Sequence, residues 1–173
     1  DNWLAGQAWS NVMDPGSIPE AADFVGPTDG VIFVRQAQIR YTKGGFSVAL
    51  ENPETTLVGS TSSDRGALPD LTLRYGWKGD WGTFGVGALA RQLKVDRPGY
   101  DDSSFAGGLT VGGKWLMGSN DTLHYQLTGG EGIARYIGLG ITGDGVLDAS
   151  DGSLDTTGVL AGYVGWRHAF SPK

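Results

Sequence analysis

Arginine and lysine recur in this chain within runs whose alternate positions are apolar. Arg35, Arg40, Arg74, Lys78, Arg91, Lys94, Lys114 and Arg167, eight of the thirteen basic residues, stand in such runs. Gln7, Gln36, Gln38 and Tyr163 accompany them as neutral hydrogen-bonding groups. The chemistry these types can do together is anion recognition: Arg offers a carboxylate a bidentate fork and Lys a point charge. A concave basic wall also raises the local concentration of anions. The candidate lining and substrate-binding residues are Gln36, Gln38, Arg40, Arg74, Arg91, Lys114 and Arg167. The solvated face of an ordinary sheet could carry the same residues, so the elements that position them must decide.

Other chemistries find less support. The chain has no cysteine, which removes disulfides, thiolate metal sites and cysteine nucleophiles. Its two histidines, His124 and His168, have no nucleophile elbow near them, and neither Ser47, Ser60 nor Ser119 resembles one. No catalytic residue and no cofactor is expected, and the chain reads as a non-enzyme. The stretch 144–155, DGVLDASDGSLD, is rich in Asp and Gly but misses the spacing of a calcium-binding EF-hand loop. It reads as a hydrated outer loop with no metal. A formal net charge of −6 argues against a nucleic-acid partner.

The elements follow from period-two alternation. Residues 31–51, VIFVRQAQIRYTKGGFSVALE, form two alternating runs around a Gly-Gly turn at 43–46, a β-hairpin with one apolar and one polar face. Further strands are expected at about 2–9, 69–78, 83–95, 105–117, 122–130 and 157–170, with a bulge near the end of 83–95. Long links (10–30, 52–68, 96–104, 131–156) alternate with tight turns, and EGIARYIGLG within the last is expected to form a short helix or fold inward. No link holds a helix long enough for a parallel crossover. The fold class is therefore all-β: one domain over 1–173, an antiparallel up-and-down meander of about eight strands.

Two observations favour a membrane barrel over a soluble sandwich. Long loops at one end and tight turns at the other are the layout of outer-membrane barrels, whose apolar residues face lipid and polar ones the lumen. Fourteen of the nineteen acidic residues fall in the long loops, Asp23 among them, while the strand cations mostly share the polar face. A basic residue facing mid-bilayer costs roughly 2–4 kcal/mol, so these cations need a lumen with little counter-charge. Arg35 and Lys94 have the opposite parity; a strand end, a bulge or a subunit interface would each accommodate them. Six tryptophans near strand ends and turns suit an aromatic girdle. No apolar run reaches the length of a transmembrane helix, and strands need only about 9–11 residues.

The segments GQAWSNVMD, FVGP, VRQAQIRYT, ALENPET, GGEGIARYIGL and GWRHAF, in this order, resemble the DcaP-like family of trimeric outer-membrane porins. The resemblance implies a bacterial outer-membrane location, a sixteen-stranded transmembrane β-barrel, a homotrimer and uptake of small anionic solutes such as dicarboxylates. It also implies that Arg35, Gln36, Gln38 and Arg40, with loop 10–30, help set a constriction. Eight strands are about half such a barrel, so the chain is expected to be an interior piece of a longer one. The expected function is passive diffusion of small anions through a basic lumen. A non-transporting structural barrel, or a soluble β-sheet binding module, is the alternative.

Overall fold

A computed structural model of the chain describes residues 2–22, 26–60 and 62–171; Asp23, and Phe24 and Val25 of the FVGP segment, lie outside the described residues. Its strands are β1 (Trp3–Trp9), β2 (Arg35–Lys43), β3 (Phe46–Glu51), β4 (Glu54–Thr56), β5 (Ser63–Arg65), β6 (Asp70–Gly79), β7 (Gly82–Arg97), β8 (Tyr100–Met117), β9 (Asp121–Glu131), β10 (Gly145–Leu147), β11 (Leu154–Thr156) and β12 (Gly158–His168). Eight of them form one sheet in the order β1-β2-β3-β6-β7-β8-β9-β12. Every neighbouring pair in it is antiparallel. Two small hairpins, β4–β5 and β10–β11, lie within the long connections. The sheet is open: among the described residues β1 and β12 are paired on one side only.

Cross-strand register gives each face one character. Trp3, Ile39, Leu50, Leu73, Trp77, Leu109, Trp115, Leu160 and Trp166 stand exposed on the convex face. Phe105 and Trp115 bracket ten residue steps of β8. That is about 34 Å along the strand, and about 26 Å once tilted by roughly 40°, close to the apolar band of an outer-membrane barrel. Trp3, Trp77, Trp81, Trp115 and Trp166 all sit at the end that carries the tight turns, while Trp9 meets Phe33 at the other end with ring centroids 4.6 Å apart. Among the described residues no helix is long and apolar enough to cross a membrane.

The core lies on the concave face, between the sheet and the connections folded against it. One cluster joins Val12, Met13 and Ile32 of the β1–β2 connection with Leu89 of β7 and Ile133, Tyr136 and Ile137 of the β9–β12 connection. A second joins Leu57, Leu93, Val95 and Leu154. Inward glycines make room for this layer: a Cβ at Gly108 would lie 2.5 Å from Ile133, and one at Gly165 2.6 Å from Pro19. The expected inward fold of EGIARYIGLG is found, as a single 3-10 turn at Ala134–Tyr136 whose residues are all buried.

Four expectations need correction. Residues 96–104 are not a loop, because β7 and β8 run on to a turn at Pro98-Gly99. Their Asp and Ser residues hide the alternation, since Asp101 and Ser103 on the outer face are as polar as Asp102 and Ser104 on the inner one. The bulge expected in 83–95 is absent from a continuous register; the blur in alternation comes from Leu89, Leu93 and Val95 facing the inner core. Gln7 is opposite Ala37 on the convex face, not in the lumen. Asp144, expected in a hydrated loop, is fully buried, whereas Asp148 stays at the surface and uses its carboxylate on Ser150.

Candidate functional site

The concave wall divides by height into a covered part and an open part. In the covered part, Arg91 Nε lies 3.2 Å from Asp70 Oδ2 and Nη1 3.0 Å from Asp144 Oδ1, with all three side chains fully buried. Arg91 also donates to Gly132 O and Glu54 O. Arg135 reaches Asp70 at 3.6 Å and Glu54 at 3.2 Å, and donates to Gln36 Oε1 at 2.8 Å. Tyr136 donates its hydroxyl to Asp70 Oδ2 at 2.7 Å. Burial, and then the charge of Asp70, raise that hydroxyl well above its ordinary range, so it remains a donor. Glu51 accepts from Asn11 N, Ser10, Thr72 and Gln36. Asp144 accepts from Thr56 and from Arg135 N.

These groups tie three connections to one wall. The network contains no nucleophile–base pair, and its ions are used on each other. Its chemistry is positional.

The open part lies toward the tight turns. The β1–β2 connection crosses it, held by Asn11, which donates to Ser47 O and Thr72 O, and by Ser17, whose hydroxyl is 2.9 Å from that of Tyr163. His124 Nδ1 is 3.2 Å from Ser17 O, a contact made when that nitrogen carries the proton. Below this strap an open depression of about 510 Å³ is lined by Asp14, Thr42, Arg74, Lys78, Thr83 and Lys114. Arg74 pairs with Asp14 at 2.8 Å. A second depression of about 650 Å³ holds Glu20 and Arg167, paired at 3.3 Å. Arg40, Lys78 and Lys114 have no ion pair among the described residues.

The expected site residues therefore separate. Arg40, Arg74, Lys114 and Arg167 reach solvent on the concave face, and Arg74 and Lys114 share one depression. Gln36, Gln38 and Arg91 stand on the expected face but are buried under the folded connections. The charge of the concave wall is also less one-sided than expected, because Asp14, Glu20, Asp70 and Asp144 bring counter-charge to it. Arg35 begins β2 opposite Trp9, and Lys94 lies on the loop-side extension of β7 between Asp96 and Asp101. Strand-end placement thus accounts for both parity exceptions. Arg135 and Tyr136 were missed as wall partners; Ile133 and Ile137 beside them give a polar connection the apolar content of a buried segment.

No protein-family model and no curated protein matches the chain. Among solved structures, the chain is similar to the crystal structure of the outer membrane channel DcaP of Acinetobacter baumannii, with a TM-score of 0.80 and 24% identity. The match covers 99% of this chain and 50% of that one, so the chain spans half the length of that channel. The likeness is one of fold: the eight-stranded meander is built like half of a channel's wall.

Proposed function

We propose that this chain is part of the wall of a bacterial outer-membrane porin that passes small anionic solutes, dicarboxylates among them, by passive diffusion. The observation that carries the reading is one sheet with two opposite faces. Its convex face exposes a girdled apolar band that water would penalise. Its concave face presents solvent-reaching Arg40, Arg74, Lys114 and Arg167. Lipid outside and a polar lumen inside is the arrangement that satisfies both. The likeness to an outer membrane channel supports the location, and the family resemblance supports assembly as a homotrimer.

Reversal potentials of the full-length protein in planar bilayers test this. Anion preference is expected, and Arg40→Gln with Arg74→Gln should lower the anion-to-cation permeability ratio roughly severalfold. Cation preference would defeat the lumen-charge argument. The folded-in layer of Val12, Ile133 and Tyr136 favours a second reading, a structural barrel with a filled interior. Absence of conductance in an inserted, folded protein would select it.

A further inference from the structure

The two oxygens of Asp14 have separate partners. Oδ1 accepts from Gly16 N at 3.1 Å and caps the 3-10 turn Pro15–Ser17. Oδ2 is the atom paired with Arg74 Nη2. The turn does not need the second contact, because Ser17 N and Ser17 Oγ also donate to Asp14 O, and Ser17 meets Tyr163. Arg74 in turn lies against a wall cleared of side chains: a Cβ at Gly85 would be 3.3 Å from its Nη2 and one at Gly76 3.7 Å from its Nη1. Both partners remain in reach of water, with side chains 28% and 21% exposed. Such a pair is weak and exchangeable. Lys78 and Lys114 flank the same depression, on strands separated by β7 in the row Lys78–Thr83–Lys114, and neither has an ion pair among the described residues.

We propose that Asp14 is a tethered stand-in for a solute carboxylate: it occupies Arg74 until an entering carboxylate, first met by Lys78 and Lys114, displaces it. This rests on the anionic-solute reading above. The strap that crosses the wall thereby sets the affinity of the depression. A tethered carboxylate competes at an effective concentration fixed by its anchoring, so removing its charge strengthens solute binding without adding a contact.

The test uses the full-length protein in planar bilayers, with succinate as a blocker of chloride current. Asp14→Asn keeps the capping oxygen and loses the charge, and should lower the half-blocking concentration about two- to fivefold. Glu20→Gln removes an equal charge from the other depression and should leave that concentration near wild type. On an Arg74→Gln background, Asp14→Asn should have no effect. A silent or weakening Asp14→Asn, an equal gain from Glu20→Gln, or a gain that survives Arg74→Gln would overturn the proposal while the anion-channel reading stood. Failure of Asp14→Asn to fold, read from gel mobility before and after heating, would make Asp14 an anchor and equally overturn it. Loss of anion preference in the wild type would instead overturn the reading beneath it.

Discussion

Arg91 and Arg74 project from the same wall, and what covers them separates their energetics. Arg91 has a side chain with no exposure and two buried carboxylate partners. Replacing one member of such a set leaves the others buried without compensation, a cost on the order of 3–5 kcal/mol. Arg91→Leu is therefore expected to lower the urea midpoint of the protein refolded in lipid vesicles. It should leave ion preference close to wild type, since no solute touches the guanidinium. A variant of unchanged stability and reduced anion preference would show Arg91 to be lining instead. Alternation in the sequence gave the correct face for Arg40, Arg74, Arg91 and Lys114, but not their exposure. Exposure depends on where Tyr136 and Val12 fold, and that is a long-range fact no local pattern contains.

The elements that make this difference are the connections, and their docking depends on wall residues without side chains. Pro19 rests on Gly165, whose neighbours on β12 are Val164 and Trp166 of the convex face. A methyl group there would meet the proline ring rather than the backbone, so the strap must move and the strand need not. Overpacking of this kind costs about 1–3 kcal/mol. Gly165→Ala should accelerate hydrogen exchange at Ser17 N, now bonded to Asp14 O, by roughly an order of magnitude or more, with the β9–β12 ladder unchanged. Equal acceleration in β12 would mean that the strand itself had yielded. Period two made the strands readable wherever one face met a uniform environment, as in 70–79 or 121–131. It failed where β7 and β8 run on past Phe105, because there the outward Asp101 and Ser103 are exposed and polar while the inward Asp102 accepts from Leu154 N, so both faces carry polar residues.

For the whole molecule the deciding quantity is the medium against the convex face. Leu109, 68% exposed, lies near mid-height between Phe105 and Trp115 on β8. Phe105, 79% exposed, lies at the rim. Against hydrocarbon the cost of a cation is about 2–4 kcal/mol at mid-height and falls to about 0–1 kcal/mol near the interface. Against water neither position penalises a charge, and an arginine replacing an exposed leucine improves solubility. Leu109→Arg and Phe105→Arg therefore separate a lipid-facing wall from a soluble sheet more sharply than the wild type alone. Urea unfolding of both variants in lipid vesicles should show a large loss for Leu109→Arg and a small one for Phe105→Arg. Equal and negligible losses would place water against both residues, and the sheet would then be a soluble binding module whose concave basic wall meets its ligands without a membrane.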